Sequence, residues 1–351
     1  MNSLTVGLAV LGGLVLAGVV AHSAWQTRRN APRMAQAEDA LPEVAKEAVE
    51  PRLDAEGQAS PKDFESNLME LGDTWVADKR AALDALIDAI APIALDEPIS
   101  GEAALAALPA TRRVGSKTFA VEGLSLNAEW ETPRAGQRYS AFQAGVQLAS
   151  RTGALNDIEF SEFVQKAQGF ADAVSGSAQF PEMRDEISKG RELDQFASAH
   201  DAQLGFTLRA KNVAWSTGYV QQHAARQGLV AGAFAGRMVL PASTQGLSPI
   251  LSLSFDTQAA LAEDTENSAV RHIDLALDVP QVARSEQPYL RMRDVAIALA
   301  AAMDGIITDQ EGRMINREAM DAIGSDLEQL YDTLESRDLA AGSALARRLF
   351  S

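Results

Sequence analysis

Three stretches in the second half of the chain place apolar residues at every other position. They are Gln203-Leu204-Gly205-Phe206-Thr207-Leu208, Ile250-Leu251-Ser252-Leu253-Ser254-Phe255 and Ile273-Asp274-Leu275-Ala276-Leu277-Asp278-Val279. Period-2 alternation marks strands with one face buried and the other in water. Between and after them the period changes. Val220-Gln221-Gln222-His223-Ala224-Ala225-Arg226-Gln227 reads as a short helix stopped by Gly228. Met292, Val295, Leu299 and Met303 fall on one helical face. Asn316 is placed to cap a last helix that buries Met320, Ile323, Leu327, Leu330 and Leu334. Ile306-Ile307-Thr308 and Arg313-Met314-Ile315 read as a strand and its return around a tight turn. The order β-α-β-β-β-α-β-α predicts an α+β fold, a mostly antiparallel sheet with helices on one face.

Residues 63–199 repeat this order more faintly. Strands are expected over 87–95, 118–124, 126–131 and 139–150, with a short helix over 102–108. A strongly amphipathic helix carries Phe160, Phe163, Val164, Ala167, Phe170 and Val174. Val146 to Arg151 answers Val279 to Arg284, and Ala171 to Gly176 answers Ala300 to Gly305. This suggests two tandem copies shifted by about 130 residues. Two unrelated α+β halves are the alternative.

Residues 4–21 are apolar and uncharged, about the length a helix needs to cross a bilayer. Trp25 follows at interface depth, then Arg28, Arg29 and Arg33. The positive-inside rule places that side, with the body of the chain, in the cytoplasm. Residues 1–25 are therefore expected to be a single-pass inner-membrane anchor with its N-terminus outside. A cleaved signal peptide is the rival, since Ala21-His22-Ser23-Ala24 is a passable cleavage site. In that reading the body is a periplasmic binding module with another partner. Residues 26–62, rich in Ala, Glu and Pro, read as a tether reaching roughly 30 Å as a coil. Domains follow at 63–199 and 200–336, with a tail at 337–351.

The chain has no cysteine, which excludes disulfides and thiolate metal sites. Its net charge is −17, and a surface so acidic repels nucleic acid. No cofactor, metal or catalytic residue is expected. The four histidines, His22, His200, His223 and His272, do not pair at metal or triad spacing. Gly115-Ser116-Lys117-Thr118 resembles the end of a phosphate loop, but Ala110 stands where its first glycine belongs. Asp304 and Asp309 near Gly312 lack the alternating ligands of a calcium loop.

An apolar N-terminal segment, basic residues after it, a low-complexity tether and a C-terminal α+β domain together resemble the bacterial cell-division protein ZipA family. The likeness lies in residues 200–336. It rests on the helix ending at Gly228, on Ile250 to Leu253, on Ile273 to Pro280 and on Met303 to Met314. The resemblance implies that the open sheet face forms a groove for the C-terminal tail of FtsZ, holding FtsZ filaments at the inner membrane without catalysis. With Leu204, Phe206 and Leu208 facing the helices, Gly205, Thr207 and Arg209 face outward. Ser252, Ser254, Asp256, Asp274 and Ala276 join them, and Phe234 aligns with an apolar contact position of the family. Two aspartates make this groove more acidic than the family pattern, with Arg209 and Arg237 to offset them.

Overall fold

The computed structural model describes Arg33 and residues 83–244, 246–262 and 268–351. The expected anchor, Trp25, Arg28, Arg29, most of the tether and residues 63–82 lie outside them. No helix among the described residues is long and apolar enough to cross a membrane. The chain forms two compact units. Residues 83–201 with 347–351 make the first, and 202–346 with Arg33 make the second.

The first unit holds β1 (Asp88–Ser100), α1 (Gly101–Ala107), β2 (Arg113–Val114), β3 (Lys117–Ser125), β4 (Trp130–Glu131) and β5 (Arg138–Gln147). It continues with the small hairpin β6 (Ala149–Ser150) and β7 (Gly153–Ala154), then α2 (Asp157–Ala173), β8 (Gly176–Ala178) and α3 (Met183–His200). The sheet order is β2-β3-β5-β1-β8, with β4 paired to β3. Every pairing is antiparallel. Alternate residues Phe119, Val121, Phe142, Ala144 and Val146 point to one face and bury Phe160, Phe163, Ala167 and Phe170 of α2. Asn156 caps α2 with a reciprocal bond to Glu159, which satisfies donors that a helix start leaves open. The helix α3 is polar enough to escape a reading by apolar period.

The second unit holds β9 (Gln203–Ala210), β10 (Trp215–Ser216), α4 (Thr217–Arg226), β11 (Val230–Ala231), β12 (Arg237–Leu240), β13 (Leu251–Ser254), α5 (Thr257–Leu261), β14 (Ala269–Val270), β15 (His272–Asp278), α6 (Pro288–Met303), β16 (Gly305–Thr308) and α7 (Arg317–Glu335), and the start of α8 (Ala344–Leu349), whose last residues count with the first unit. Its main sheet runs β11-β12-β13-β15-β9-β16, and β10 pairs with β14 apart from it. Phe206, Leu208, Leu253, Ile273, Leu275 and Leu277 are buried, as are Val220, Ala224, Met292, Val295, Leu299 and Met303 of the helices.

The path β12-β13-β15-β9-β16 repeats β2-β3-β5-β1-β8, and α4, α6 and α7 stand along the chain where α1, α2 and α3 do, while α5 has no counterpart. Details repeat too. Ser100 and Ser216 cap the first helix of each unit. Ser175 (φ 55°) and Asp304 (φ 54°) both take the left-handed conformation just before the glycine that opens the edge strand.

The stretch expected to be a tail is packed structure. Leu349 and Phe350 are fully buried. Arg348 forms a bidentate pair with Asp88, at 2.9 and 2.5 Å. Its carbonyl accepts from the Gln147 amide at 2.8 Å. The sequence hid this because the arginine and its buried aspartate lie at opposite ends of the body.

Two helical glycines make opposite predictions. A Cβ on Gly169 in α2 meets nothing within 4 Å, while one on Gly190 in α3 would lie 2.7 Å from the Leu148 carbonyl oxygen. Gly169→Ala is expected to stabilise by up to about 1 kcal/mol through helix propensity. Gly190→Ala, with the same gain offset by a backbone clash, should lose about 1 kcal/mol or more. Urea unfolding of both variants reads the difference.

Candidate functional site

The alternation of β9 and β15 separates two faces. Toward the helices go the apolar residues. On the other face the registers Gly205↔Ala276, Thr207↔Asp274 and His272↔Arg209 set side chains next to each other. Ala276↔Ser252 and Asp274↔Ser254 extend these rungs onto β13, and Arg237↔Ser254 extends the second onto β12. The result is a shallow groove of about 590 Å³. Its floor is small: Gly205, Ala276 and Ser252. Arg209 and Arg237 line it, as do Asp274 and Asp278.

Six of the residues expected on the outward face, Gly205, Thr207, Arg209, Ser252, Asp274 and Ala276, therefore line one groove. Ser254 lies in register beside Asp274 and Arg237. Asp256 does not join them. The strand β13 ends at Ser254, and Asp256 caps α5 by accepting from the amides of Gln258 and Ala259 at 2.7 and 3.1 Å. Phe234 is also elsewhere. It sits 71% exposed in the β11–β12 loop and lines a second, apolar pocket of about 660 Å³ with Val230, Gln221 and Ala225. Arg33, read from the sequence as a topology residue, lies against the second unit.

These placements leave the number of acids in the groove unchanged: Asp278 lines it where Asp256 was expected, and Asp274 accepts from the Thr207 hydroxyl at 2.7 Å. Arg209 and Arg237 make no ion pair among the described residues. Gln310 was missed by sequence reasoning. The pairing Thr308↔Thr207 carries the following turn over β9, so that Gln310 rests on Gly205. A Cβ there would lie 2.9 Å from its amide nitrogen. A turn next to an edge strand was the available signal, but its direction was not legible.

The corresponding face of the first sheet is covered by its own chain. The Leu83 side chain lies on Gly145, where a Cβ would come within 2.4 Å of it. The Leu83 amide donates to Glu122 at 3.0 Å, and Gln143 donates to the other Glu122 oxygen at 2.8 Å. Arg348 occupies the end of that face beside Asp88 and Gln147.

The motif at Gly115 proves to be a structural turn. The amides of Gly115 and Ser116, which a phosphate would need, donate to Glu162 and Glu159 at 3.1 and 2.9 Å. Lys117 is buried beneath the hydroxyls of Ser116 and Thr152, both 3.1 Å away. Burial holds its ammonium below the usual lysine range, and the Glu159 charge opposes this. Asp309 accepts from the Arg313 amide at 2.7 Å, as a hairpin turn requires. No group of three or more metal-ligating side chains occurs among the described residues. No known protein family matches the chain, and no curated protein is significantly similar to it.

Proposed function

We propose that the chain is a membrane-tethered cell-division adaptor whose second unit takes the C-terminal tail of FtsZ on its open sheet face. The observation that carries this reading is the groove over β9, β13 and β15, with a small-residue floor between two arginines. Beside Gln310, which rests on Gly205, the small residues Ser252 and Ala276 leave room for an extended peptide to lie across the strands with an apolar side chain against Ala276. Arg209 and Arg237 suit acidic side chains of that peptide. A few buried anchors carry most of the energy in such contacts, and charge complementarity sets orientation. The family resemblance in residues 200–336 supplies the identity of the peptide. The apolar run over 4–21 and the arginines after it supply the inner-membrane location and the cytoplasmic body. The shared strand path of the two units supports an origin by duplication, with the first face covered by Leu83 and the second open to a partner. The reading involves no catalysis, cofactor or nucleic acid.

Photo-crosslinking in cells tests it. A benzophenone side chain at position 276 is expected to capture FtsZ, whereas one at exposed Ala301 on α6 is not. Absence of FtsZ from the adducts at 276 would remove the adaptor reading.

A further inference from the structure

Trp215 of β10 pairs on one side with Val270 of β14. Its other side is occupied by Arg33, in a parallel bridge from the far N-terminal part of the chain. The Arg33 amide donates to the Ala214 carbonyl at 2.7 Å, and the Ser216 amide donates to the Arg33 carbonyl at 2.8 Å. The guanidinium donates to the Met303 carbonyl at 3.0 Å and to the Asp304 carboxylate at 2.9 Å. The same Met303 carbonyl accepts from the Trp215 indole at 2.8 Å.

These contacts form a site with a defined chemistry. Met303 and Asp304 end α6, where unpaired carbonyls and the helix dipole favour a cation. Asp304 adds a full negative charge, held in place by a left-handed backbone. One planar guanidinium spans both acceptors with two of its nitrogens, the fork geometry that distinguishes arginine from the point charge of a lysine. The free edge of β10 supplies main-chain pairing on top of it.

We infer that this edge is an arginine-reading strand-addition site whose occupant is the chain's own segment at Arg33. The stretch between the apolar run and the body is therefore divided. Residues 22–32 alone separate the end of that run from the docked arginine, a span of at most about 40 Å fully extended. The second unit is thereby held closer to the bilayer than a free tether allows. The statement about the bilayer rests on the anchored reading of residues 4–21, while the docking itself does not.

The chain lacks cysteine, so two engineered ones can be spin-labelled without background. In full-length protein in detergent, labels at Ala31→Cys and Ala301→Cys should give a narrow distance distribution. Adding Arg33→Glu should broaden it and speed exchange of the Ser216 amide at least tenfold. Equally broad distributions with and without Arg33→Glu, or an unaltered Ser216 exchange rate, would overturn the docking. Repeating the distances in nanodiscs, with a third label reporting depth at residue 4, separates failure of the anchor from failure of the latch. A narrow distribution with residue 4 in water keeps the latch and removes only its consequence for the bilayer.

Discussion

Deleting Arg347–Ser351 should abolish cooperative folding of the first unit while leaving the second intact. The five residues include Leu349 and Phe350, both fully buried, and Arg348, the partner of a fully buried Asp88 carboxylate. Removing one member of a buried ion pair costs about 3–5 kcal/mol, because the other charge stays in the protein unpaired. Emptying a buried Phe or Leu site costs about 2–5 kcal/mol each. Against a total stability of about 5–15 kcal/mol, the sum leaves the unit without a stable fold. Hydrogen exchange should show protection lost across residues 88–200 and kept across 203–335. Arg348→Met isolates the charge. Burial already pushes the Asp88 carboxyl above its ordinary value, more than Arg348 lowers it. Without Arg348 the carboxyl rises further and takes up a proton more readily. The cost of Arg348→Met should accordingly be largest near neutral pH and shrink as the pH falls.

Tyr331→Phe should stabilise the second unit, and the gain should grow at alkaline pH. Tyr331 lies 3% exposed, and its hydroxyl has no hydrogen-bond partner among the described residues. Arg284 sits over its ring, 5.6 Å from the centroid, without bonding the hydroxyl. Removing an unpaired buried hydroxyl gains about 1 kcal/mol at neutral pH. Burial, reinforced by the nearby Glu328 charge, pushes the Tyr331 phenol up from 10.0 to about 12. Above pH 10 the unfolded chain loses this proton while the folded chain keeps it, so the wild type loses stability as the pH rises. The loss reaches about 2 kcal/mol by pH 12. Phenylalanine has no proton to lose. The difference between the two proteins in urea unfolding should widen from pH 9 to pH 11. A constant difference would show that the hydroxyl is solvated.

The period-2 and helical patterns of the second unit were legible because its strands have one buried face and its helices one apolar stripe. Gln203–Ala210, His272–Asp278 and Pro288–Met303 form where those patterns put them. The same patterns told which face of β9 and β15 is open, so Gly205, Thr207, Arg209, Asp274 and Ala276 could be grouped before the fold was known. Asp256 could not be excluded by alternation, since a helix cap and an outward strand position look alike at a strand end. Phe234 carries no periodic signal, lying in a glycine-rich loop whose direction only packing decides. The helix α3 (Met183–His200) was invisible because its buried positions include Glu186 and Gly190 among few apolar ones. The contacts of Arg33 and Arg348 join residues about 270 and 260 positions apart, and no local pattern reports them.

Calorimetric titration of residues 30–351 with a peptide of the FtsZ C-terminal tail from the same cell tests the central claim most directly. The account predicts saturable binding that weakens at least tenfold, about 1.4 kcal/mol, in Ala276→Glu and in Arg209→Glu, and that survives Phe234→Asp. Absence of heat at peptide concentrations of about 0.5 mM, where even a binding free energy near −5 kcal/mol registers, would contradict it. So would binding that is indifferent to Ala276→Glu.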